Sequence, residues 1–139
     1  MSNPEAPRIF PTFRYREPAR MIDWLEKAFG FVTHARFGEG DAVAHAELAF
    51  GASMIMIGAA QDDAFGAIVG QPGGKNGQAV YVAIEDVDRL YARASAAGAT
   101  IEQELTNRDY GGREFICRDP EGNVWCFGAY WPRMGGAPA

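Results

Sequence analysis

Glu47 is the residue of this chain best placed for ligand chemistry. It sits between the apolar Ala46 and Leu48, and a carboxylate in such a setting needs a partner once it turns inward. Two readings follow. Either Glu47 meets a ligand, or it forms an internal ion pair with Arg14. His45 falls on the same face of the same strand. It would serve there as a base or ligand, or as an ordinary hydrogen-bonded rim histidine. Thr12 and Arg14 alternate with Phe10, so the three share one face of an earlier strand. The guanidinium of Arg14 has the geometry to clamp a carboxylate or phosphate. Met54 and Met56 would give an irregular apolar ligand an adaptable surface, or would simply pack. Cys126 could act as a nucleophile only with a base and a depressed pKa. No histidine stands near it in sequence, so it reads as a small apolar pocket residue. Tyr110 precedes Gly111 and Gly112, whose backbone freedom puts it at a pocket mouth, stacking on a ligand or capping a hairpin.

Elements that could position these residues occur twice. Residues 9–15 and 78–84 are extended. A helical stretch follows each, one from Pro18 closed by Gly30 and one from Val87 closed by Gly98. Further extended segments end at Gly58 and Gly128. The offset is 68 between the helix-closing glycines and 70 between the final ones. So steady a shift is the mark of a duplicated supersecondary unit, and a cleft between or inside the two sheets is the natural place for a site. Pro18 suits a first helical turn, and Asp86 suits an N-cap. The spacing of Met21, Ile22, Leu25, Ala28 and Phe29 makes one apolar helix face, and that of Val87, Leu90, Tyr91, Ala94 and Ala97 another.

Each unit is expected to end in a hairpin. With Gly51-Ala52 as the first loop, Glu47 opposes Met56 and Leu48 opposes Ile55. Leu48, Phe50, Ile55 and Ile57 then meet the helix, while His45, Glu47, Met54 and Met56 line the cleft. In the second hairpin the turn is Asp119-Pro120-Glu121-Gly122-Asn123. If Arg118 pairs with Val124, then Phe115, Cys117, Trp125 and Phe127 are core, and Glu114, Ile116 and Cys126 face the cleft. Cys117 and Cys126 then point to opposite faces and cannot be bridged.

The boundaries read as a tail at 1–8, units at 9–58 and 78–131, a glycine-rich connection at 59–77, and a tail at 132–139. The chain has 139 residues, 47% of them hydrophobic, with a net charge of −5. Scattered basic residues and an acidic balance argue against a nucleic-acid partner. No apolar run reaches the roughly 18 residues of a membrane span. Two cysteines and no apolar signal core lead to an expected cytoplasmic location. Gly-Gly-Lys within residues 70–78 lacks the strand and helix of a phosphate loop.

Two segments carry a family resemblance. FRYREPARMIDWLEKAFGF (13–31) and YGGREFICRDPEGNVWCFGAYW (110–131) resemble the two halves of a vicinal-oxygen-chelate protein, the glyoxalase/bleomycin resistance/dioxygenase superfamily. The resemblance implies an α+β fold of two tandem βαβββ modules forming an incompletely closed eight-stranded barrel, and a homodimer. Family metal enzymes draw four ligands from the first and last strands of each module. Carried over, these fall on Phe10, Met56, Gln78 and Cys126. Only Gln78 offers a common oxygen donor, with Met56 a weak thioether and Cys126 a soft thiol. The expectation is therefore no cofactor, and a small, partly apolar ligand held without a catalytic metal, as in resistance members that sequester drugs. The competing expectation is a divalent-metal lyase, isomerase or dioxygenase using Glu47, Gln78 and a neighbouring donor such as His45.

Overall fold

The computed structural model describes residues 6–73, 75–109 and 111–133. Tyr110, a candidate site residue, lies outside them. The chain divides into two units, one of Met1–Glu26 with Gly30–Gln71, the other of Lys27–Phe29 with Pro72–Ala139.

The first unit contains β1 (Thr12–Tyr15), α1 (Pro18–Phe29) as far as Glu26, β2 (Val32–Glu39), β3 (Ala42–Phe50), β4 (Ser53–Ala59) and α2 (Ala64–Val69). Its sheet has the order β1-β4-β3-β2. β1 runs parallel to β4, and the other neighbours are antiparallel. Pro18 opens α1, and Gly30 closes it with φ 89° and its amide on Glu26 O. A left-handed residue there is nearly free for glycine. Met21, Ile22, Leu25 and Ala28 of α1 are buried, as are Tyr15, Ala46, Leu48, Ile55 and Ile57 of the sheet. The register places Glu47 opposite Met56 and Leu48 opposite Ile55, with Phe50 opposite Ser53 across Gly51-Ala52. The face sorting drawn from the alternation therefore holds.

The second unit contains β5 (Val80–Ala83), α3 (Val87–Ala96), β6 (Thr100–Asn107), β7 (Arg113–Arg118) and β8 (Val124–Gly128), with sheet order β5-β8-β7-β6. β5 is parallel to β8. The Asp86 carboxylate caps α3 through the Arg89 amide. Val87, Leu90 and Ala94 are buried, and Tyr91 meets the Phe115 ring edge-on at 5.2 Å. Phe29 belongs to this core, 4.7 Å from Phe127 and 5.2 Å from Trp125. Such rings add packing energy beyond the area that they bury. Arg118 does pair with Val124, and Cys117 with Trp125. Both cysteines are free.

The turn after β7 has a role beyond changing direction. Asp119 is 3% exposed. Its carboxylate accepts from the Glu121 and Asn123 amides and from the Trp125 indole N–H at 3.0–3.1 Å. It thus closes the turn and fixes the largest buried ring of the unit. The sequence suggests a surface turn, whereas this carboxylate is sunk into the core.

Both first strands are shorter than the sequence suggests. β1 starts at Thr12 because the ladder reaches only Pro11 O, which accepts from the Met56 amide at 2.9 Å. Proline has no N–H to carry it further. β5 starts at Val80 because the Gln78 amide turns back onto Asn76 Oδ1 and Gly77 has φ 77°, the chemistry of an Asx turn. Phe10 and Gln78 therefore precede the strands. The connection 59–77 contains a helix, α2, although its sequence shows too little periodicity to predict one. Among the described residues no helix is long and apolar enough to cross a membrane.

Candidate functional site

In both sheets one face is buried and the other is half-buried and mixed in character. On the second kind of face in the first unit, register aligns Thr12 with Met56, Met56 with Glu47, and Glu47 with Ala35. Met54 lies on the same face, opposite Ala49. His45 Nε2 is 3.1 Å from Glu47 Oε2, and the Phe37 ring stacks on the imidazole at 6.0 Å. The structure thus brings Thr12, His45, Glu47, Met54 and Met56 onto one surface. Phe10 is 38% exposed ahead of it.

Arg14 does not pair with Glu47. Its guanidinium forms a two-pronged bridge to Asp63, with Nη1–Oδ1 2.7 Å and Nη2–Oδ2 2.9 Å, and it lies 5.3 Å from the centre of the Phe65 ring. Asp63 also caps α2 by accepting from the Gly66 amide at 2.8 Å. The arginine, followed by that amide, holds the Asp63 carboxyl down to about 2. Gly66 is required at this point. A Cβ there would come within 2.2 Å of Gln61 O. So the first-strand arginine anchors α2, and Glu47 takes His45 as its partner. Asp63 and Phe65 were not foreseen, because the connection shows too little periodicity to assign a helix.

The second unit carries a different set. Register aligns Tyr81 with Cys126, Cys126 with Ile116, and Ile116 with Gln103. Arg108 Nε donates to Glu114 Oε1, and Arg108 Nη2 donates to Gln103 Oε1 at 2.8 Å. The Tyr81 hydroxyl donates to Tyr130 O at 2.7 Å, and the ring lies over Gly128, where a Cβ would meet the phenol oxygen at 2.5 Å. Only a residue without a side chain admits the ring so close. Of the residues singled out in sequence, Glu114, Ile116 and Cys126 stand on this face. Gln78 is exposed before β5. Tyr81, Gln103 and Arg108 were missed. The alternation along β5 and β6 would have placed the first two on this face.

The four paired first- and last-strand positions do not supply the donors that a divalent metal takes. By register, Thr12 and Tyr81 are the first-strand neighbours of Met56 and Cys126. They give two hydroxyls, a thioether and a thiol where hard or borderline ions take carboxylate, imidazole or carbonyl oxygen. Burial, and then Glu114, push the Cys126 thiol up against the opposing pull of Arg108. Cys117, buried beside Asp119, is pushed up to about 12. Both thiols stay protonated at neutral pH, which makes them poor ligands and poor nucleophiles. Among the described residues no group of three or more His, Cys, Asp or Glu could hold a metal ion.

The chain matches the family described as the Glyoxalase/Bleomycin resistance protein/Dioxygenase superfamily over residues 10–127. Among solved structures it is similar to TioX from Micromonospora sp. ML1, at 30% identity and TM-score 0.72, covering 92% of this chain and 99% of that one. It shares its fold with a glyoxalase/bleomycin resistance protein/dioxygenase family enzyme from Burkholderia phytofirmans PsJN, at 22% identity and TM-score 0.71, over 86% and 94% of the two chains. An uncharacterized protein of Mycobacterium bovis is 29% identical over 125 residues, 88% of this chain and 82% of that protein. The duplicated βαβββ units, the aspartate-anchored turn after β7 and the match across both units together make this chain a member of the glyoxalase/bleomycin resistance protein/dioxygenase superfamily.

Proposed function

We propose that the protein binds a small, partly apolar molecule on the half-buried faces of its sheets, without a catalytic metal. The observation that carries this reading is the substitution of soft and apolar groups at the last-strand positions of both sheets. Met56 and Cys126 stand there, next to Thr12 and Tyr81. Methionine adapts its shape to irregular ligands, and a protonated thiol behaves as a small hydrophobe. The polar groups alongside are few and mostly paired, which suits orientation of a ligand rather than bond chemistry.

The test is elemental analysis of the purified protein after exposure to Zn, Ni, Mn and Fe(II) and exhaustive dialysis, followed by a thermal-shift screen of small apolar compounds. Metal well below one equivalent per chain is expected, together with a rise in Tm for compounds that bind. A ligand at a hundred times its Kd adds about 2.7 kcal/mol. Near-stoichiometric retained metal would overturn the reading.

One contact favours the competing reading of a divalent-metal lyase, isomerase or dioxygenase. His45 and Glu47, two residue types that ligate metals, lie side by side. On that reading Glu47→Ala abolishes metal retention and activity together. On ours it changes neither metal content nor fold.

A further inference from the structure

Gly58 and Gly128 hold the same place in the two sheets, each two residues beyond the paired position of its last strand, Met56 or Cys126. Their surroundings differ. A Cβ on Gly128 would meet the hydroxyl oxygen and two ring carbons of Tyr81 at 2.5–3.1 Å, and Gly128 is buried. A Cβ on Gly58 would have one neighbour within 4 Å among the described residues, Ala44 O at 3.7 Å, and Gly58 is half-buried. The cause lies on the first strands. Tyr81 pairs with Cys126, whereas the residue paired with Met56 is Thr12, which has no ring to lay over the glycine. The acceptor is repeated as well. The Tyr81 hydroxyl donates to Tyr130 O at 2.7 Å, two residues beyond Gly128. Two residues beyond Gly58 stands Ala60, also half-buried. Its amide donates to Tyr15 O at 2.8 Å, and its carbonyl accepts no hydrogen bond among the described residues.

We infer that the first sheet takes from its ligand the group that the second sheet supplies from its own chain: a neutral phenol whose ring lies over Gly58 and whose hydroxyl donates to Ala60 O. This rests on the reading that the sheet faces bind small molecules, and it assigns the ligand's chemistry. The neighbours suit a ring. Met56 is the next residue of β4 on this face, and one more step of the register that pairs Ala46 with Ile57 sets His45 beside Gly58. Thioether and imidazole both pack well on aromatic surfaces. On the β1 side Arg14 pairs with Gly58, its guanidinium drawn to Asp63 and the Phe65 ring. Neutrality follows from the same residues. A carbonyl must be met by a donor, and only the protonated hydroxyl is one. Arg14 is matched by Asp63, and Glu47 beside His45 adds a carboxylate to the face, so an anion finds no unmatched arginine there.

The experiment is solution NMR on the full-length, 13C,15N-labelled protein with three probes. Para-cresol is the tyrosine side chain as a free molecule. Para-methylanisole has the same ring with the donor capped, and para-toluate is an anion. Para-cresol is expected to shift the Gly58 amide and the Ala60 carbonyl carbon saturably. It should bind about tenfold tighter than para-methylanisole, the scale of one uncharged hydrogen bond. Gly58 has no positive φ and space for a methyl, so Gly58→Ala should keep the fold. It puts a carbon where the ring would lie and should weaken para-cresol about tenfold or more. Thr12→Tyr supplies the phenol from the chain, and should move the Ala60 carbonyl signal without any probe and make it insensitive to para-cresol.

Unmoved Gly58 and Ala60 signals, wild-type affinity in Gly58→Ala, or binding of para-methylanisole or para-toluate as tight as that of para-cresol would each overturn the assignment. Failure of this proposal is separable from failure of the broader reading. If para-cresol shifts the Met54 and Met56 methyls and leaves Gly58 and Ala60 alone, the faces bind ligands and the space over Gly58 is not the contact. If neither these probes nor any compound of the thermal-shift screen perturbs either sheet, both ideas fall.

Discussion

The two sheets share one backbone lattice and carry different chemistry on it. Thr12, Met56, Glu47 and Ala35 form a row in the first, and Tyr81, Cys126, Ile116 and Gln103 the equivalent row in the second. The carboxylate of the row in the first sheet is replaced by isoleucine in the second. There the carboxylate has moved one row along, to Glu114 opposite Gly128. Its environment changed with it. Glu47 and His45 are 32% and 40% exposed, whereas Glu114 is 12% exposed and bound to Arg108. A pair in the drier setting keeps more of its interaction strength and tolerates loss of one partner less well. The two units therefore share a frame, and each face carries its own polar pair.

The most damaging way to test that frame is to cut on either side of one strand pair. Leu48 is fully buried, and Met54 lies on the opposite face of the same hairpin. Leu48→Ala should cost about 2–5 kcal/mol in urea unfolding, the range for truncating a packed leucine. Met54→Ala should cost about 1 kcal/mol or less, because a half-buried site loses few contacts. Equal losses would mean that the two faces are not divided as the register divides them.

A smaller effect separates the two hairpins. The first closes on Gly51-Ala52 with no side-chain anchor, and the second depends on Asp119. Asp119→Ala strips the partner from the Trp125 indole and from two turn amides. A loss of roughly 2–3 kcal/mol is expected, since each buried orphan costs roughly 1–3 kcal/mol and water reaches part of the turn. It should be accompanied by a change in the near-UV circular dichroism of Trp125. An unchanged tryptophan signal would show that packing alone holds the ring.

The sequence carried the repeat, both hairpin registers and the core, because those follow from glycine and proline chemistry and from two short periodicities. It carried the half-buried face of the first sheet as well, since His45, Glu47, Met54 and Met56 alternate on strands whose register their turn sets. It missed what depends on contacts distant in sequence. Nothing local to Arg14 points to Asp63, 49 residues away. Gln103 reads as one polar residue among several on β6, and the burial of its Nε2 is created only by the fold. Phe10 and Gln78 were matched by a constant offset of 68. Register makes Thr12 and Tyr81 the equivalent pair, an offset of 69, and a slip of one residue turns a strand's side chains to the other face.

The smallest expected effect concerns the Arg14–Asp63 ion pair, which has no counterpart at the equivalent strand position of the second sheet among the described residues. Ala83 stands opposite Gly128 where Arg14 stands opposite Gly58, so no arginine is available at that position to anchor a segment after β8. Asp63 is held down to about 2 from an ordinary 3.8. A depressed carboxyl contributes stability that is present above the unfolded value and lost as pH falls through the folded one. The clasp should therefore be intact above about pH 4 and open as pH falls toward 2. The Gly66 amide, which donates to Asp63 Oδ1, reports this directly, and its NMR shift should titrate with a midpoint near 2. Arg14→Met removes the largest cause of the depression, so the midpoint should rise toward 3.8, whereas in Gly66→Ala the added carbon collides with Gln61 O, the cap loosens with the arginine still in place, and the midpoint should rise less. A wild-type midpoint already near 3.8 would mean that Asp63 does not hold Arg14. The guanidinium would then be available to Glu47, and the polar chemistry of the first face would have to be redrawn around that pair.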